Sequence, residues 1–392
     1  MKIVVLTKRT VAHGFGGVEA YVDNFARAAA QRGHDVVVLA SALPPGMARI
    51  ADDPGRTEYL GGTEPGVYSR AFWRQSVAAI RRHAPYDLLY STNLAGYGAA
   101  MADVPGPHAV WSTGRTLTHL ASEWHDRAGL RALVGYPKTA LALAYYAWLE
   151  RRLQRRIDTL IVEDVVTYEA HRRAGLRVRL IHTGVDTARF KADAGRRRET
   201  RAALRIPPDA DVLVMAAAIN RQKGIALGVE AFRRLAAERP RLHLLVCGDG
   251  PERRRLEIAA GEARARFVGT VADSEMAGYY AAGDILLYPT FRVEGTPRAI
   301  LEAMSAGLAV VATDRGGVRT AVRDGETGVL LARPSAELLT TAVAALLDDP
   351  GRRRALGARA AAAVREQFDL HASVGAVLDT VAGARTLEHE RA

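Results

Sequence analysis

Glu294 and Glu302, eight positions apart, bracket Gly295-Thr296-Pro297-Arg298, the stretch of this chain best suited to chemistry. Proline is favoured in the first turn of a helix, where its missing N–H would be unpaired in any case. The spacing therefore predicts a helix starting at Pro297, with Glu294 just before it and Glu302 on its second turn. At about 1.5 Å rise per residue Glu302 stands roughly 7 to 8 Å up that helix from Pro297, while the free N–H groups of the first turn face back toward Glu294. The order is a carboxylate, an anion-binding helix end and a second carboxylate. A nucleotide-sugar has the matching order of sugar hydroxyls, diphosphate and ribose hydroxyls, and helix N-termini bind phosphate through aligned N–H groups and the helix dipole. A bare pair at this spacing also fits any solvated helix face, so its surroundings decide.

Those surroundings are two runs of the same alternation. In the first half a strand at Lys2–Leu6 leads through Gly16-Gly17 into a helix at 18–32, and Gly33-His34 turns into a strand at 35–39. Short apolar strands follow at 88–90, 109–111 and 159–162, separated by helical stretches. The second half repeats the scheme, with strands at 212–216, 243–247, 266–268 and 285–288, the helix after Pro297, and strands at 309–312 and 328–330. Apolar strands interleaved with helices indicate parallel sheets covered on both faces, which is a Rossmann-like α/β arrangement. The linker falls near residues 183–195, where Thr183-Gly184-Val185-Asp186 precedes a polar, Arg-rich stretch. Helices at 338–347 and 350–366 close the second domain, and 386–392 read as a frayed tail.

Composition narrows the class. A chain of 392 residues, 48% apolar and 25% charged, has the balance of a soluble globular protein and the length of two domains. Its one cysteine, Cys247, rules out an intrachain disulfide, fits a reducing cytoplasm, and ends an apolar run as a buried strand residue would. The N-terminal strand lacks the apolar core of an export signal. The longest apolar stretch, 139–149, has about half the length of a membrane span. The formal charge of +11 comes overwhelmingly from arginine, with lysine only at positions 2, 8, 138, 191 and 223. The arginine clusters at 151–156, 196–198, 253–255 and 352–354 are scattered as solvated helix faces are, which argues against a nucleic-acid partner. Residues 130–156 combine Tyr136, Tyr145, Tyr146 and Trp148 with a basic end. That pattern fits a helix covering the sheet, and also a peripheral seat on the inner face of an anionic membrane.

The segment from Tyr288-Pro289-Thr290 through Glu294-Gly295-Thr296-Pro297-Arg298 and Leu301-Glu302-Ala303-Met304 to Gly307 resembles the E-x7-E signature of retaining glycosyltransferases of the GT-B fold, the large family 4 in particular. The resemblance covers nearly the whole chain. It implies two facing Rossmann-like domains with a cleft: an acceptor-binding domain at 1–185, joined by a returning helix at about 369–392, and a nucleotide-sugar-binding domain at 186–368. It implies that Glu294 contacts the transferred sugar and Glu302 holds the ribose, with Gly295, Thr296, Pro297 and Arg298 along the diphosphate. Gly16-Gly17-Val18-Glu19 matches the family's glycine-rich loop, where absent side chains let the backbone approach a diphosphate. Lys223, in Asn220-Arg221-Gln222-Lys223-Gly224, matches the family's donor-binding lysine, which neutralises the departing diphosphate. Neither a metal nor a cofactor is expected: no D-x-D-type carboxylate pair offers a metal site, and there is no G-x-G-x-x-G fingerprint.

Two departures from the pattern stand out. The family's Gly-Arg before the lysine is here Ala217-Ala218, so the diphosphate's guanidinium must come from Arg298 or Arg221, with Arg298 the better placed. The family's active-site histidine after the strand at 109–111 is also missing, since the chain reads Ser112-Thr113-Gly114-Arg115-Thr116. His119 is the first candidate to replace it as a catalytic group, ahead of His125 and His13. Arg9, Asn93 and Arg115 are further candidates for reading hydroxyls. The implied reaction moves a sugar, with retention, from a nucleotide diphosphate donor, UDP favoured over GDP, to the hydroxyl of a glycoconjugate or small metabolite. A non-hydrolysing sugar-nucleotide epimerase and a non-catalytic nucleotide-sugar-binding protein are the rival readings.

Overall fold

The structure is a computed structural model that describes residues 1–14, 16–48, 56–113, 130–261 and 263–389; of 130–140, 143 and 381–389 only the backbone is described. The chain divides into two compact units, one of residues 1–117, 139–184 and 370–392, the other of 118–138 and 185–369.

The first unit runs β1 (Lys2–Leu6), α1 (Gly17–Gln31), β2 (Asp35–Ser41), β3 (Glu58–Leu60), α2 (Arg70–Arg82), β4 (Leu88–Thr92), α3 (Tyr97–Met101), β5 (His108–Ser112), α4 (Leu130–Gln154), β6 (Thr159–Val162), α5 (Val165–Arg173) and β7 (Val178–Leu180). Its seven strands are all parallel, in the order 3-2-1-4-5-6-7. Successive strand residues point to opposite faces. Thus Ile3 and Val5 pack with Phe25 of α1 on one side, while Val4 and Leu6 pack with Phe72 and Ile80 of α2 on the other.

The second unit runs α6 (Ala194–Ala203), β8 (Asp211–Ala216), α7 (Ile225–Ala236), β9 (Leu242–Cys247), α8 (Arg253–Ala260), β10 (Ala265–Gly269), α9 (Met276–Ala282), β11 (Ile285–Tyr288), α10 (Arg298–Ser305), β12 (Ala309–Thr313), α11 (Val318–Ala321), β13 (Val329–Leu331), α12 (Ala336–Asp348) and α13 (Pro350–Gln367). Its parallel sheet has the order 10-9-8-11-12-13. Leu213, Leu244, Ile285 and Val311 pack against Phe232 and Leu339, whereas Val212, Leu245, Leu286 and Val310 pack against Met304 and Val364. Cys247 sits in this core, and burial pushes its thiol up to about 12.

Two local expectations need correction. The helix after Glu294 starts at Arg298, one residue late, because Pro297 takes an extended conformation (φ −71°, ψ 117°) and becomes the N-cap. Residues 386–389 are helical rather than frayed: α14 (Leu370–His389) is one helix, anchored through Leu370, Val374, Val377 and Leu378 in the core of the first unit. Among the described residues no helix is long and apolar enough to cross a membrane.

Candidate active site

In a doubly wound sheet the loops that follow two adjacent strands part in opposite directions where the strand order reverses, and ligands bind in the crevice this leaves at the strands' C-terminal ends. In the second unit that point lies between β8 and β11, which are neighbours and parallel. The loop after β8 carries Lys223, and the loop after β11 carries Glu294.

Each loop is shaped locally. Asn220 caps a single 3-10 turn at Arg221–Lys223, its side chain accepting from the Lys223 N–H at 3.1 Å. Gly224 then takes a left-handed conformation (φ 67°) and opens α7; a Cβ there would lie 2.0 Å from the Pro289 carbonyl oxygen, so only glycine permits this approach. The two loops are tied together, since the Gln222 carbonyl accepts from the Phe291 N–H at 2.8 Å. A third loop, after β12, closes the arrangement: the Gly317 N–H donates to the Glu294 carbonyl at 2.8 Å, and a Cβ on Gly316 would meet that same oxygen at 2.4 Å.

The result is a buried carboxylate with unequal oxygens. Glu294 Oε1 accepts from Lys223 Nζ at 2.6 Å and from the Tyr288 hydroxyl at 3.2 Å, and Thr290 Oγ1 also donates to it at 3.2 Å. Oε2 has a guanidinium nearby, Arg292 Nε at 3.9 Å. Burial pushes the Glu294 carboxyl up, but Lys223, Arg292 and the hydroxyls outweigh it and hold it below the ordinary carboxylate range. It is a permanent anion at neutral pH.

One turn into α10, Arg298 and Glu302 stand four residues apart on the same helix face. Arg298 Nε lies 2.7 Å from Glu302 Oε1, and its Nη2 donates to Asp273 Oδ1 at 2.7 Å. Asp273 in turn accepts from Arg189 Nη1 at 2.6 Å. Glu302 is buried, and burial, aided by the Asp273 charge, raises its carboxyl above the ordinary value against the pull of Arg298. Arg298 thus ion-pairs with two carboxylates, hydrogen-bonding Asp273 through Nη2, while its buried Nε lies close to Glu302 without donating a hydrogen bond.

Of the residues expected from the sequence, Lys223, Glu294, Gly295, Thr296, Pro297, Arg298 and Glu302 lie together around this switch point, and Arg221 is exposed on the turn beside Lys223. In the first unit Gly16 and Gly17 are exposed at the start of α1, where a Cβ on Gly16 would collide with Glu19 at 2.3 Å. Glu19 is ion-paired with Arg9 at 3.3 Å. His13 is buried and takes a packing role, its ring nitrogens within 3.2 Å of the Thr10 N–H and 3.0 Å of the Ala42 carbonyl. Burial, first of all, lowers its pKa. Asn93 accepts from the Thr113 N–H at 3.1 Å. Arg115, His119 and His125 lie outside the described residues. The sequence reading missed Tyr288, Thr290, Arg189 and Asp273. Arg298 and Glu302 carried a readable signal of pairing in their i, i+4 spacing; Arg189 and Asp273, far apart in the chain, carried none. Among the described residues no three His, Cys, Asp or Glu side chains gather as a metal site would require.

Comparisons with known proteins show the family and the fold. The family models described as "Glycosyltransferase Family 4" and "Glycosyl transferases group 1" match residues 15–189 and 196–363. The D-inositol 3-phosphate glycosyltransferase of Kineococcus radiotolerans is 30% identical over 388 residues, covering 88% of this chain and 86% of that protein. Among solved structures, sucrose-phosphate synthase from Thermosynechococcus elongatus superposes with a TM-score of 0.80 at 23% identity over 99% of both chains. HepE of Anabaena, in complex with UDP-glucose, does so with a TM-score of 0.76 at 20% identity over 98% of this chain and 100% of that one. These two likenesses show a GT-B fold.

Proposed function

The chain belongs to the family 4 glycosyltransferases, and from that premise we propose that it transfers a hexose, with retention at the anomeric carbon, from a nucleotide diphosphate donor to an acceptor hydroxyl. The observation that carries this reading is the 2.6 Å contact between Lys223 and Glu294 at the strand switch, directly before the N-terminus of α10. In the proposed complex the sugar's hydroxyls meet Glu294, whose Oε2 holds the less engaged lone pairs. The diphosphate lies against Gly295–Pro297 and the first N–H groups of α10, where the helix end favours an anion. The ribose hydroxyls reach Glu302.

Charge builds on the β-phosphate as the glycosidic bond breaks. Lys223, partly exposed, can swing from Glu294 to meet it, which is the main electrostatic task of the site. Glu294 keeps Tyr288 and Thr290 as donors when the lysine leaves. With Arg298 engaged by Asp273 and Glu302, Arg221 is the candidate for the guanidinium lost at Ala217-Ala218. In this reading these positive groups and the helix end take the role a metal would otherwise have, so turnover is expected to survive chelation. His119 is retained as the first-domain candidate, residues 1–185 as the acceptor-binding part and 186–368 as the donor-binding part. A uridine donor is preferred because the HepE complexes hold UDP and UDP-glucose, and a cytoplasmic location fits the thiol and the soluble donor.

Thermal shift against UDP-, GDP- and dTDP-sugars tests the donor, since a ligand at 100 times its dissociation constant stabilises by about 2.7 kcal/mol. Product anomers read by NMR coupling test the stereochemistry. Absence of any shift, or an inverted product, would overturn the reading.

A further inference from the structure

The first unit carries an apolar stripe that its own core leaves uncovered. On α4, Leu149 and Leu153 are buried with Val110, Leu160 and Val162, while the outward side shows Leu141, Tyr145 and Trp148 at 74%, 52% and 51% exposure. Their spacing of four and then three puts all three on one face of the helix. Large apolar side chains exposed singly are ordinary, but three in a row along one stripe are not. The side chains of the stripe also touch one another: the Tyr145 and Trp148 rings stack at 6.1 Å, and the Arg152 guanidinium lies 4.8 Å over the Trp148 ring.

What flanks the stripe identifies what would cover it. Arg151, Arg152, Arg155 and Arg156 are all exposed at the C-terminal end of α4, and Arg172 and Arg173 are exposed at the end of α5. A groove of about 160 Å³ runs between these two helices, lined by Arg151, Arg155 and His171 together with Glu150. The acidic groups in this region are mostly engaged: Glu150 accepts from Gln154 at 3.3 Å, Asp158 accepts from the His108 N–H at 2.8 Å, and Glu169 lies 4.0 Å from Arg172. Aromatic and aliphatic side chains along a helix beside a dense arginine cluster suit a surface that is apolar just below an anionic layer. A second protein copy would bring the same arginines against one another, and like charges repel.

We propose that this face of the first unit docks on an anionic phospholipid bilayer, with Leu141, Tyr145 and Trp148 entering the headgroup boundary and the arginines pairing with lipid phosphates. The site is separate from the donor site of the second unit, so it stands whichever donor the protein uses.

Sedimentation of the full chain with phosphatidylcholine vesicles, with and without phosphatidylglycerol, tests it. Binding to the anionic vesicles only, weakened by salt, is expected. L141S/Y145S/W148S should bind at least about tenfold more weakly, and each of R151Q and R155Q about fivefold more weakly, with melting temperature unchanged because all are surface positions. Should the triple variant not fold, W148S alone must show the loss. Equal binding to neutral vesicles, no binding, or unchanged binding by these variants would overturn the proposal. So would a dimer in light scattering that the triple variant dissociates, which would make a second copy the occupant.

Discussion

Glu294 and Glu302 carry the same side chain eight residues apart and are held in opposite electrostatic states, one depressed by Lys223 and neighbouring donors, the other raised by burial. The difference assigns them different sensitivities. Glu294→Gln keeps size and most hydrogen bonds but removes the anion facing Lys223. Turnover is expected to fall roughly 10²-fold or more, together with a fall in melting temperature because Lys223 loses its buried carboxylate, as measured by steady-state kinetics beside calorimetry. Arg298 behaves differently. Removing it leaves Glu302 buried beside Asp273 without its closest cation, so Arg298→Met should cost about 3 to 5 kcal/mol of stability in urea titration, the penalty of breaking a buried pair. The double variant R298M/E302M, which removes both charges, should regain most of that stability and still fail to bind donor. Stability left intact in R298M, with only donor affinity lost, would mean that Arg298 serves the diphosphate directly.

At the scale of elements, the site depends on loops that only glycine allows to meet. Gly224 and Gly316 let the loops after β8 and β12 touch the loop that carries Glu294. For Gly224→Ala the added methyl would overlap the Pro289 carbonyl, a backbone atom that cannot turn aside. A loss of about 1 to 3 kcal/mol in stability and weaker donor binding are expected, read by thermal denaturation with and without donor. These contacts also mark the boundary of what the sequence discloses. The strand at Ile285–Tyr288 and the helix at Pro350 were legible because periodicity and punctuation by proline and glycine are local signals, whereas the chain's return after Phe368 was implied by the family resemblance alone. Lys223 and Glu294 were each identifiable from their surrounding motifs. That Tyr288 donates to Glu294, or that Asp273 holds Arg298, follows from strand order and loop length, which no local pattern encodes. The N-cap role of Pro297 was missed for a related reason: proline suits the position before a helix as well as its first turn, and no local pattern separates the two.

At the scale of the molecule, a formal charge of +11 and a set of shifted carboxylates jointly fix the response to acid. Asp273 and Glu294 titrate below their ordinary values of 3.8 and 4.5. Their contribution to stability is complete above those unfolded-state values and is lost as the pH falls through the lower folded ones. Glu302, raised above 4.5, works in the other direction, its contribution being complete below that value and lost as the pH rises through its folded value. Glu58, Asp193 and Asp249 are depressed as well, so the raised Glu302 is outweighed and acidification brings a net loss, while protonating carboxylates adds positive charge to a chain that already repels itself. The urea midpoint should therefore begin to fall below about pH 6.5, where the unfolded chain's histidines take up protons that His13, His108 and His243 resist in the fold, and fall more steeply below about pH 4.5. Added salt should soften the fall by screening the repulsion. In Asp273→Asn the acid slope should be shallower and the midpoint at neutral pH lower, because the amide can neither titrate nor offset Arg298 and Arg189. A D273N slope equal to that of the parent chain would show that the buried network contributes nothing to acid sensitivity, and that overall charge alone drives it.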